Sequence, residues 1–165
     1  MLEVQAVIGR IQLRRMADWS RTRRTYLERI WAVARAHSGL RVPVFRCKSA
    51  CSVVSSGCVV ASGCEHAGYR AYVYVVPENL RPGWSRDRIQ EAISARGVPC
   101  FTGSCSEVYL EKAFDGTGWR PEPRLPNARA LGDNALAFLI HPTLTAAEID
   151  LTCAAIDAVM TEASA

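Results

Sequence analysis

The chain lacks any run of about 18 uncharged apolar residues, which argues against a membrane-spanning helix. Its opening, M-L-E-V-Q-A-V-I-G-R, lacks the basic start of a secretion signal and carries an early glutamate instead. A soluble cytoplasmic protein is expected. Lysine is scarce, with Lys48 and Lys112 the two present. Tight cysteine pairs are scarcer still. Of the seven cysteines four fall close together, and among those four only Cys47 and Cys51 have a spacing usual for zinc ligands, while Cys58, Cys64 and His66 follow irregularly. Without a second tight pair no metal centre is expected, and a zinc-binding insert at Cys58 and Cys64 is a lesser alternative. Without a secretion signal the thiols are expected to be reduced.

What is present suits one soluble domain. A chain of 165 residues, 49% of them apolar, can build one core and is short for two. The net charge of +4 conceals an asymmetry. Residues 1–70 hold 12 Lys and Arg against 4 acids, and residues 71–165 hold 8 against 12. Eight arginines lie from Arg10 to Arg35, Arg14, Arg15, Arg23 and Arg24 among them. Such a stretch could serve a basic nucleic-acid or protein binding module. No recognised nucleic-acid motif accompanies it, so a solvated or domain-facing helical surface is preferred.

From Leu2 to about His37 there is no proline and one glycine, while Val4, Ile8, Ile11, Trp19, Tyr26, Ile30 and Val33 recur at helical steps. The pattern predicts a long amphipathic helix, with a bend at Asp18, Trp19 and Ser20. Unbroken over these residues it would reach about 54 Å, longer than a small domain is wide. Ser38 and Gly39 should end it. Residues 44–64, rich in Ser, Cys, Gly and Val, read as an irregular insertion with a short strand at Val59 and Val60.

Strands are expected at residues 69–76, 98–101 and 135–140, the first from its aromatic and β-branched content. Ser85 should cap a helix carrying Ile89, Ala92 and Ile93, with Gly97 at its end. A short helix is read over residues 127–132. Thr145 and Glu148 have capping-box spacing and should open a last helix with Ile149, Cys153, Ile156 and Met160 on one face. Ser104 and Glu107 share that spacing, predicting a helix from Cys105 to Phe114 with Gly103 and Ser104 at an anion-friendly N-terminus. The fold class is α/β (α+β), a long N-terminal helix followed by a small mixed sheet of about three strands flanked by helices. The divisions are 1–40 for the linking helix, 41–68 for the insertion and 69–165 for the small domain.

Five stretches then resemble one family in order and spacing. They are L-E-V-Q-A-V-I-G-R-I-Q-L, P-E-N-L-R-P-G-W-S-R-D-R-I, G-V-P-C-F-T-G-S-C-S-E-V-Y-L-E-K-A-F, R-L-P-N-A-R-A-L-G and F-L-I-H-P-T-L-T. Together they are similar to the C-terminal part of the DegT/DnrJ/EryC1/StrS family of pyridoxal-phosphate-dependent sugar aminotransferases. The resemblance implies the C-terminal domain of a fold-type I aminotransferase. It also implies a nucleotide-linked sugar as substrate and a role in polysaccharide or antibiotic-sugar synthesis.

The same resemblance places the cofactor pocket and its Schiff-base lysine in a large domain that would precede this region. Neither Lys48 nor Lys112 stands in that lysine's context, and residues 44–64 and Gly68 depart from the family pattern. Only Met1 remains of a preceding N-Y-R-M-like motif. The expectation is therefore a truncated protein, not binding pyridoxal phosphate alone and inactive alone, with a variant in which a separately encoded large domain completes the enzyme; a homodimer is the other candidate partner.

The family's small domain closes over substrate, so the substrate-facing candidates are Tyr69, Arg70, Gly103, Ser104, Cys105, Ser106, Tyr109 and His141. Each has a plainer role beside it. Ser104 can simply cap its helix, and Cys105 can be a packed thiol because no His/Asn arrangement accompanies it. Tyr69 can be core, Arg70 can meet a phosphate or sugar, and His141 can satisfy backbone at a strand end. Arg86 and Asp87 are read as decoration on a helix's first turn.

Overall fold

The computed structural model describes residues 2–44 and 68–165. Val59, Val60 and the Cys47, Cys51, Cys58, Cys64 and His66 group lie outside the described residues, as does Lys48.

Helix α1 spans Glu3–Arg35 without interruption, so the expected bend at Asp18 to Ser20 does not break its hydrogen bonding. Asp18 instead pairs with Arg21 one turn on, and its carbonyl accepts from Thr22. At the usual rise the 33 residues extend about 50 Å. Only the inner part enters the core, through Leu27, Ile30, Trp31 and Ala34. The helix closes at Ala36, slightly before Ser38 and Gly39.

Among the described residues four strands follow: β1 (Leu40–Arg41), β2 (Arg70–Val75), β3 (Cys100–Phe101) and β4 (Ala135–Leu139). Their order is β1-β2-β4-β3, and all three pairings are antiparallel. The α/β class stands, with four strands where about three were expected and an antiparallel rather than mixed sheet. The added strand is β1, two residues whose pairing with Tyr74 and Val75 is set by the sheet rather than by a local pattern.

Strand β2 alternates, so that Ala71, Val73 and Val75 enter the core while Arg70, Tyr72 and Tyr74 face the other way. Helices α1, α2 (Arg86–Ser94) and α4 (Ala146–Ala163) cover the first face. Trp31 Nε1 donates to the Tyr72 carbonyl at 3.0 Å, tying α1 to the central strand. Both expected caps of α2 and α4 form. Ser85 Oγ accepts from Arg88 N, and Thr145 Oγ1 accepts from Glu148 N while Glu148 accepts from Thr145 N. Ile149, Ile156 and Met160 are buried on α4, with Cys153 half-buried. The short helix α3 is Pro126–Asn134, with proline in its first turn.

The helix expected from Cys105 does not form. Residues 102–107 are irregular, and single 3-10 turns follow at Val108–Leu110 and Lys112–Phe114. Ser104 caps nothing, because its hydroxyl bonds the Tyr72 hydroxyl and the Glu107 carboxylate is engaged by residues far along the chain.

Candidate functional site

The second face of the sheet leads into a cleft built on the turn that follows β3. Strand β3 leaves the sheet at Phe101, and the chain turns at Gly103, whose φ of +91° suits glycine. A side chain at Gly103 would meet the Tyr72 ring at 2.8 Å, so the turn lies flat on β2. Across from it, a side chain at Gly132 on α3 would collide with Ser106. These two glycines let the 102–106 turn sit between the sheet and α3.

The result is an open cleft of about 460 Å³ lined by Thr102, Gly103, Ser104, Cys105 and Ser106 on one side. Arg86, Gly132 and Asp133 supply a second side, and Glu107, Leu110, Glu111 and Lys112 a third. Arg86 is mostly buried. Its Nη1 donates to the carbonyls of Gly132 and Ala135 at 3.2 and 3.3 Å, and its Nε to Asp87 at 2.6 Å. It therefore fastens α2 to the end of α3 as well as presenting positive charge to the cleft. The hydroxyls of Thr102, Ser104 and Ser106 give the lining neutral donors and acceptors, the chemistry that suits a polyhydroxylated ligand.

The third wall is held without a core. Arg120 donates to three consecutive carbonyls, those of Tyr109, Leu110 and Glu111, at 2.9–3.1 Å, and pairs with Asp115. Arg124 grips Glu107 through both carboxylate oxygens. Tyr109 donates its hydroxyl to Glu107 at 2.6 Å and accepts from Leu125 N at 3.1 Å. The Arg124 hydrogen bond, aided by that from Tyr109, lowers the Glu107 carboxyl to about 2.

Of the eight residues expected from the sequence, the structure gathers four, Gly103, Ser104, Cys105 and Ser106, along the cleft. Tyr109 stands behind the wall, holding Glu107 rather than lining the space. Tyr69 is outside the lining and 73% exposed, not core. Arg70 lies over the Phe101 ring at 5.0 Å. His141 Nδ1 bonds Thr143 in its own turn, at 2.7 Å from Oγ1. Cys105 is exposed and donates to Glu111, whereas Cys100 is the packed thiol, its ionisation pushed up to about 12 by burial. Arg86, Arg120 and Arg124 were not readable as site residues, since each acts on groups distant in the chain. Among the described residues no His, Cys, Asp and Glu group could hold a metal ion.

The profile of the DegT/DnrJ/EryC1/StrS aminotransferase family matches residues 1–157, and the chain belongs to that family. Among solved structures it is similar to the aminotransferase from Psychrobacter cryohalolentis, at 49% identity and a TM-score of 0.84. That match covers 98% of this chain and 39% of the Psychrobacter chain. DesV from S. venezuelae, solved in complex with a ketimine intermediate, shares the fold at 19% identity and a TM-score of 0.73, over 94% of this chain and 36% of its own. The PLP form of Spr1654 from Streptococcus pneumoniae does so at 18% and 0.71, over 98% and 36%. The chain thus spans less than two-fifths of the length of these structures. No curated protein matches it.

The family implies pyridoxal phosphate, whose chemistry depends on a positioned amine that forms a Schiff base. The described residues do not fit that group. Lys112 is the one lysine among them, exposed on a 3-10 turn at the rim of the cleft.

Proposed function

We propose that the chain serves as the substrate-facing small domain of a cytoplasmic aminotransferase acting on nucleotide-linked sugars in polysaccharide or related sugar synthesis. The observation that carries this reading is the cleft. Its glycine-shaped turn sets the hydroxyls of Ser104 and Ser106 beside Arg86, in a chain of the DegT/DnrJ/EryC1/StrS family. Gly103, Ser104, Cys105 and Ser106 meet the sugar, and Tyr109 acts as a positioning residue through Glu107. Arg70, Tyr69 and His141 have no assigned part in it.

On this reading residues 1–40 link, residues 69–165 form the small domain, and the Schiff-base lysine belongs to polypeptide outside this chain. The chain alone neither holds the cofactor nor transfers amino groups. Nuclear magnetic resonance of the full chain titrated with UDP- and dTDP-linked sugars tests the site. Shifts concentrated at residues 102–106 and on the Arg86 side chain are expected. Shifts confined to the arginines of α1, or none, would refute it and favour the basic-module alternative.

A further inference from the structure

The face of the sheet turned away from the core carries two guanidinium groups that the fold positions and leaves open. Strand pairing puts Arg41, Arg70, Tyr72, Tyr74 and Phe101 on that face. Arg70 lies over the Phe101 ring at 5.0 Å, and Arg41 over the Tyr74 ring at 4.5 Å. Stacking of this kind fixes the plane of a guanidinium and leaves its N–H edge to other groups. Among the described residues neither arginine makes a hydrogen bond or ion pair, whereas Arg86, Arg120 and Arg124 direct their donors to protein oxygens. None of the four strands contains an acidic residue, so the face attracts anions.

The cleft tells the two pairs apart. Ser104 bonds the Tyr72 hydroxyl at 3.0 Å, so the cleft opens onto the sheet beside Tyr72. Phe101 lies in the same row across the sheet as Tyr72, both opposite Ala137, and runs directly into the 102–106 turn. Arg70 reaches across to that ring. Arg41, opposite Tyr74, stands four residues, or about 13 Å, along β2 from Arg70. A group linked to a sugar at Ser104 thus leaves the cleft toward Arg70. Phe101 is 40% exposed and offers ring surface to a planar base.

We propose that Arg70 and Phe101 together bind a nucleoside diphosphate, the half of a nucleotide-linked sugar that lies outside the cleft. The guanidinium donates bidentate hydrogen bonds to the diphosphate, and the base stacks on the guanidinium and ring. The inference rests on the proposed function and gives Arg70, which holds no part of the sugar, the selection of substrates that carry a diphosphate.

Nuclear magnetic resonance of the full chain titrated separately with UDP, inorganic pyrophosphate and free N-acetylglucosamine tests it. UDP is expected to shift the Arg70 Nε and Phe101 ring signals, pyrophosphate to do so only at higher concentration, and the free sugar to leave both in place. Arg70→Gln should weaken UDP at least about tenfold and Phe101→Ala at least about fivefold. Arg41→Gln should change it less than about twofold. The shifts of the unaltered chain decide whether or not a variant folds. UDP shifts that miss Arg70 and Phe101, equal losses in Arg41→Gln and Arg70→Gln, or pyrophosphate binding as tightly as UDP overturn the inference. If UDP-N-acetylglucosamine shifts residues 102–106 and Arg86 while Arg70 and Phe101 stay still, the proposed function stands without this site. No shift in either place removes both.

Discussion

The core and the cleft wall of this protein are built by different forces. Trp31, Val73, Ile93, Phe138, Ile156 and Met160 are almost wholly buried and interlock three helices with the sheet. From residue 102 to residue 125 not one side chain is buried. That stretch is held by Arg120 on three carbonyls and by Arg124 and Tyr109 on Glu107. Apolar packing fixes the scaffold cooperatively, whereas polar clasps fix a loop that can be altered without unfolding what it stands on. A loop wall built in this way can vary while the domain persists.

The strongest way to break the contrast is to empty the core. Ile156→Ala, at a residue with no exposed surface, is expected to destabilise the full chain by about 2–5 kcal/mol in urea unfolding. A change below about 1 kcal/mol would mean that α4 is not packed as described.

The wall should respond locally and to pH. Glu107 has its carboxyl lowered from 4.5 to about 2 in the folded chain, so its contribution to loop order is complete above 4.5 and is lost as pH falls through about 2. Tyr109 resonances followed from neutral pH downward should therefore report a midpoint near 2. Arg124→Ala removes the principal cause and should move the midpoint toward 4.5. Equal midpoints in the two proteins would show that the clasp is not formed in solution.

The same contrast decides what was legible in the sequence. Thr145 and Glu148, and Ser85 ahead of α2, are local signals, and both work because nothing distant competes for them. Ser104 and Glu107 have the spacing of Thr145 and Glu148 but fail. Tyr72 takes the Ser104 hydroxyl from 32 residues away, and Arg124 takes Glu107 from 17. Spacing records what a segment can do alone, and it is silent on such rivals. Strand β1 escaped notice for a related reason, since two residues have no periodicity and pair only because β2 is already there. Gly103 was expected at a helix N-terminus and instead takes a left-handed turn in an irregular stretch. Arg86 was not readable as a site residue, because its reach to Gly132 and Ala135 is a property of the packed fold.

The central claim is that this family member supplies a substrate wall and not the cofactor's amine. Titrating the full chain with pyridoxal phosphate and following the visible absorbance of a Schiff base tests that claim most directly. The account expects no band saturating at one equivalent and no transfer of an amino group. A stoichiometric band that disappears in Lys112→Ala would contradict it.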